Sequence, residues 1–247
     1  FSESGVGNLT PEAVSALDSS MLAAMPGTTL SGFDPQQVEF LSDDILGGLN
    51  AEQFGGFQSD VISQLTADQI SALSPDIFAE GPFMEPAIRQ LEYLSSDAVA
   101  GLSPEAAAAV PVNAVNSLFT PEFMDAVSVD VIGALTAGQV SNLSETTIQH
   151  MDAETLTAIA PESMSQLQDV GDIQPDAFSG MTTDHISALP AEAFQTIHPL
   201  QIESLDPSVM SAFTADNIAD LNASNYNGFS ADHIENLQAE TFASFSE

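Results

Sequence analysis

An eight-residue repeat runs through this chain from end to end. Blocks begin at Leu9, Leu41, Leu65, Leu135, Phe213 and Leu237, among others. Each reads as an apolar residue, a Ser, Thr, Asp or Asn, then commonly Pro or Ala, then an acid, with a second apolar residue at position 6. Thirty-one block starts fall between Phe1 and Phe245, all apolar, and 26 of the 30 steps between them are eight residues. The exceptions are Leu73 to Phe83, Phe83 to Leu94, Val110 to Phe119 and Leu167 to Ile173. Position 6 is apolar or aromatic in all 29 blocks where it can be assigned.

Few backbones accept this pattern. In a strand, side chains alternate with period two, so positions 1 and 6 would face opposite ways. In one long helix the apolar stripe would drift by about 80° per octad. The proline that recurs at position 3 would break such a helix as well. A succession of very short helices fits. Position 2 supplies N-caps, as at Thr10, Ser42, Thr66, Ser103, Thr136, Asp206 and Thr214. Position 3 is Pro nine times, at Pro11, Pro35, Pro75, Pro104, Pro121, Pro161, Pro175, Pro199 and Pro207. Proline suits the first helical residue because its missing N–H is not needed there. Position 4 is acidic in 18 of 29 blocks, where a carboxylate meets the free N–H groups and positive dipole of a helix start.

Position 6 and the next position 1 lie three apart and share a helix face. Position 8 is Ala, Gly or Ser in 18 of 29 blocks, which permits sharp bends and close helix approach. Helices this short fall far below the ~12–15 residues needed for stability alone, so they must stack. The expected fold is all-α: a solenoid or superhelix with one very short helix per octad and about three octads per turn. It runs as one continuous array over residues 1–247, with irregular stretches near 74–93 and 167–173. The first stretch holds Arg89, Gly81-Pro82 and Pro86, and both are expected to be kinks or surface loops.

The octad resembles a known repeat. Leu102-Ser-Pro-Glu-Ala-Ala-Ala-Ala-Val110 and Leu73-Ser-Pro-Asp-Ile-Phe78 are similar to the octapeptide repeats of the mesothelin, stereocilin and otoancorin group. Leu65-Thr-Ala-Asp-Gln-Ile-Ser-Ala-Leu73 is similar to the LTxxQIxAL arrays of bacterial surface proteins. The resemblance implies a superhelical, extracellular, adhesive or matrix-associated protein without enzyme activity. It carries over no functional residue.

Charge narrows the partners. The chain has 36 acidic residues against one basic residue, a formal net charge of -35. Phosphate binding needs Lys and Arg, so nucleic acid is excluded as a direct partner. The same deficit argues against docking on an anionic membrane surface. Zero Cys removes disulfides, thiol catalysis and Cys-ligated zinc. An apolar content of 44% is too high for a disordered acidic tail. No apolar run approaches the roughly 18 residues of a membrane helix.

Catalytic motifs are missing: there is no G-x-S-x-G, no Walker loop, no G-x-G-x-x-G and no H-E-x-x-H. Half the acids occupy one repeat position, which points to a shared structural role rather than a distinct catalytic pocket. His185 and His233 both stand at position 5, six octads apart in sequence number. They are expected to be exposed or half-packed, with a paired metal site as the remote alternative.

Position-4 carboxylates at Glu12, Asp44, Glu52, Asp60, Asp68 and Asp76 would form rows able to associate with Ca²⁺ through oxygen. Asn8, Asn142 and Asn222 open N-x-[ST] sequons and are the glycosylation candidates. The chain starts on an octad at Phe1 and stops within one at Phe245, just after Phe242. These phenylalanines are the expected assembly ends, since open apolar ends invite end-to-end stacking.

The functional expectation is a non-enzymatic structural protein, a segment of an extracellular or cell-surface filament, matrix or adhesin. The alternatives are a binding module for a basic protein, peptide or glycan, and an acidic calcium-associating surface protein. Phe40 and Tyr93 are the clearest aromatics outside positions 1 and 6 that a binding face would use.

Overall fold

The computed structural model describes residues 2–79, 84–167 and 169–243, the side chains of Met84 and Glu85 excepted. These residues form short helices and turns, with no strand among them. Helices run from three residues, as in Pro75–Ile77, to eight in Met84–Leu91. The local chemistry is that of the octad. All nine position-3 prolines open a helix at its first residue or the one after it. Position-2 side chains accept from the backbone N–H groups of the first turn, as Thr10, Asp18, Asn50, Ser103, Asp152 and Ser230 do. Ser42 sits at an N-cap but makes no such bond. Helices commonly close with a bond from the next position-1 N–H to the position-6 carbonyl, for instance Leu9 to Val6 and Leu73 to Ile70. That three-residue bond tightens the last turn before the bend.

Backbone contacts divide the chain into two compact units, Phe1–Val131 and Ile132–Glu247. In the first unit helices commonly pack on the helix three octads away. Glu3–Val6 meets Gly27–Leu30, Pro11–Val14 meets Pro35–Phe40, and Gly27–Leu30 meets Ala51–Phe54. Aromatic pairs repeat the same spacing of 24 residues. The Phe33 and Phe57 ring centroids are 5.7 Å apart and those of Phe54 and Phe78 are 6.1 Å apart, the latter pair edge to face. In the second unit Ala137–Val140 meets Pro161–Gln166, Pro199–Ser204 meets Ala223–Gly228, and Pro207–Ala212 meets Ala231–Asn236.

The core of each unit is built from positions 1 and 6, as the pattern requires. Leu22, Leu30, Phe54, Ile62, Phe178, Phe194 and Phe213 are almost wholly buried. Position 5 is a third core position, which the apolar pattern did not reveal. It buries Ile45, Val61, Ile77, Phe123, Val131 and Val209. Among the described residues every buried polar one occupies it too: Thr29, Gln37, Gln53, Gln69, Gln139, Thr147, Ser163, His185, Gln201, Asn225, His233 and Thr241, with Gln90 as its counterpart in the long block.

The irregular steps are absorbed without losing register. Between Leu167 and Ile173 the block has six residues, and Val170 takes the place of position 6, buried three residues before Ile173. Between Leu73 and Leu94 two long steps add five residues. Part of that addition forms the longest helix among the described residues, Met84–Leu91, which buries Ala87, Ile88 and Leu91. Arg89 on it is exposed. Gly81, Pro82 and the block start Phe83 lie outside the described residues.

Candidate functional site

The most regular polar structure in the molecule is internal. A position-5 glutamine points its amide back at the bend between two earlier octads. Gln53 Nε2 donates to the carbonyls of Leu22 and Met25 at 2.8 and 2.9 Å. Gln37 does the same to Val6 and Leu9, Gln69 to Val38 and Leu41, and Gln201 to Val170 and Ile173. The separations are 31 and 28 residues, from position 5 to the position-6 and position-1 carbonyls. The position-6 carbonyl also accepts the next position-1 N–H, as Leu22 does from Met25, so the amide adds a second donor there, while the position-1 carbonyl lies at the bend beyond the helix end. At the other end of the amide, Oε1 accepts the N-cap backbone N–H of its own helix, from Asp34, Asn50, Thr66, Thr136 and His198. One side chain thus caps its own helix and ties it to an earlier turn. Gln90 donates to Phe57 at 33 residues, the usual 28 increased by the five inserted ones. Its Oε1 is buried without a partner. The residue three before it, Ala87, lies inside the longer helix rather than at an N-cap.

His185 and His233 belong to this ladder, which corrects the expectation that they are exposed or half-packed. They are 1% and 2% exposed. In each ring Nδ1 accepts the N-cap N–H, from Thr182 and Ser230, both at 3.1 Å. Nε2 faces a backbone carbonyl, Ile159 at 2.7 Å and Leu205 at 2.9 Å. A carbonyl only accepts, so Nε2 carries the proton and both rings are neutral. With both nitrogens committed to backbone, neither ring has a lone pair for a metal.

The position-4 carboxylates lie on the surface. Glu12, Asp44, Glu52, Asp60, Asp68 and Asp76 are all exposed in the first turns of their helices. Asp44 and Asp68 stand on helices packed together, as do Glu52 and Asp76. Gln36 stands at position 4 between Glu12 and Asp60. Among the described residues no three His, Cys, Asp or Glu side chains come together in a way that could hold a metal ion.

Asp18, Asp152 and Asp206 at N-caps, and Glu12 beside one, are held below their usual range. For Asp18 and Asp206 the cause is first a serine hydroxyl, Ser20 or Ser208, and then a backbone N–H. For Asp152 it is the Thr155 N–H, and for Glu12 its own backbone N–H followed by the Thr10 hydroxyl.

The sequon asparagines are exposed, and each Nδ2 donates to a carbonyl: Asn8 to Ser4, Asn142 to Gly138 and Asn222 to Gln195. Phe242 is 53% exposed. The other two expected assembly residues, Phe1 and Phe245, lie outside the described residues. Tyr93 is 49% exposed and Phe40 is half-buried. The second unit has an open polar groove beside its short step, with Asp169, Asp172, Gln195, His198, Asn222 and Ser224 in its walls.

Compared with known proteins, the chain matches no family model and none of the curated proteins. Among the described residues no helix is long and apolar enough to cross a membrane.

Proposed function

We propose that this chain is a non-enzymatic structural protein: an all-α octad solenoid with three octads per turn, serving as a segment of an extracellular or cell-surface filament, matrix or adhesin. The observation that carries the reading is the repeated three-octad packing, held by position-5 amides and imidazoles. Such nearest-neighbour stacking is how solenoids are stabilised. The exposed acids support a scaffold as well. They repeat one environment along the chain instead of converging on a pocket, and like-charged flanks repel each other. Association is then expected end to end rather than flank to flank.

Negative-stain electron microscopy of the natural material tests this. Filaments with a regular axial repeat are the expected image. Discrete short rods at all concentrations would remove the filament reading. The groove at Asp169, Asp172 and His198 favours a second reading, a binding module for a basic peptide or glycan. Titration with a lysine-rich peptide would then show saturable binding that Asp169→Asn with Asp172→Asn abolishes.

A further inference from the structure

We propose that His185 and His233 form an acid-sensitive lock in the second unit, and that the first unit has no equivalent. Position 5 of the first unit uses Gln37, Gln53, Gln69 and Gln90 for the ladder, and an amide does not titrate. The second unit uses Gln139 and Gln201 but substitutes imidazole at 185 and 233. A buried imidazole reproduces the glutamine pattern in one protonation state only. Nδ1 must be bare to accept from Thr182 or Ser230, while Nε2–H donates to Ile159 or Leu205. A second proton would set Nδ1–H against a backbone N–H, and the N-cap bond would be lost.

The charged groups around both rings are carboxylates. Thr183–Ala188, which carries His185, packs on Pro161–Gln166 and Pro207–Ala212. The first of these contributes Glu162, and the second has no titratable residue but is capped by Asp206. Asp184 precedes His185 on its own helix. Ala231–Asn236, which carries His233, packs on Pro207–Ala212 and bears Asp232 and Glu235. No Lys or Arg stands anywhere in this unit. An added proton finds no acceptor within the ladder's hydrogen bonds, and opening of the turn resolves that conflict.

The direction follows from proton linkage. The locked geometry has a place for the neutral ring only, so acid favours the opened turn, with stability present at about pH 7.5 and lost towards about pH 5.5.

Amide hydrogen exchange on the full chain at these two pH values, corrected for intrinsic exchange, is the test. Thr183–Ala188 and Ala231–Asn236 should lose protection at the lower pH. Ala51–Phe54 and Ala67–Ser71, held by Gln53 and Gln69, should not. The double variant H185Q/H233Q places the ladder's own residue at both sites, and its second unit should exchange alike at both pH values. Identical pH dependence in wild type and double variant overturns the proposal. So does ring nitrogen NMR of the wild type showing imidazolium at the lower pH with protection unchanged, a reading that needs no variant.

Discussion

Position 5 carries the most consequential residues. Gln53 is 2% exposed, and its two donors and one acceptor are all used. Gln53→Leu keeps the bulk but strands the Met25 carbonyl and the Asn50 N–H, at about 1–3 kcal/mol per orphaned group. Gln201→His should cost much less, because His185 and His233 already show imidazole making the cap bond and one of the two carbonyl bonds. Urea denaturation of both variants checks the contrast, and equal losses would mean that packing rather than bonding sets the site.

The capping acids give a second effect at this scale. Asp18, Asp152 and Asp206 are held below their usual range when folded. Their contribution is present above the unfolded value of about 3.9 and is lost as pH falls through the lower folded value. Asp152→Asn keeps the cap and removes the titration, so the acid limb of its stability curve should flatten below about pH 4. An unchanged acid limb would count against the cap as its source.

At the scale of the element, the tightest constraint is glycine at position 8. None of the described glycines has a positive φ, so backbone freedom does not explain them. Space does. A Cβ at Gly56 would overlap the carbonyl of Gly27, and one at Gly180 that of Ala153. The obstacle is backbone of a packed neighbour, which cannot rotate aside. Gly→Ala at an ordinary compatible site stabilises by reducing unfolded-state entropy. Here Gly56→Ala and Gly180→Ala should instead destabilise by about 1–3 kcal/mol, the usual cost of overpacking. Gly48 is a milder case, since its added Cβ would meet the Ser19 Cβ at 3.1 Å. Thermal melts of the three variants should rank them in that order.

At the scale of the whole molecule, a net charge of -35 with one basic residue is a standing strain on any compact state. Among the described residues the acids are exposed, apart from the half-buried Asp172 and Asp220, so salt reaches them. Screening shortens from roughly 30 Å at about 0.01 M to about 3 Å at about 1 M ionic strength. The melting midpoint should climb steadily with sodium chloride across that range. A midpoint indifferent to salt would show that self-repulsion weighs little against the packing of the turns. Calcium at matched ionic strength separates specific from diffuse association. An extra rise that Asp44→Asn with Asp68→Asn removes is the mark of a carboxylate row acting on the ion.

The octad by itself determined the local structure, because its signals act within one block. A cap at position 2, proline at 3, an acid at 4 and apolar residues at 6 and 1 dictate short helices and name most of the core. What it did not disclose was position 5. Ile45, Gln53 and His185 share no composition, yet all are buried there. What they share is burial, and in Gln53 and His185 a direction as well, toward the bend of an earlier turn. Only the packing of turns defines that direction. For the same reason His185 and His233 read as surface residues in one dimension and prove to be core residues in three. The short step behaves alike: six residues look like a fault in the repeat, but Val170 and Ile173 still present their carbonyls to Gln201. Local spacing decides where a helix starts and stops. Which helix it meets, and through which side chain, is decided by the loop that the intervening octads close.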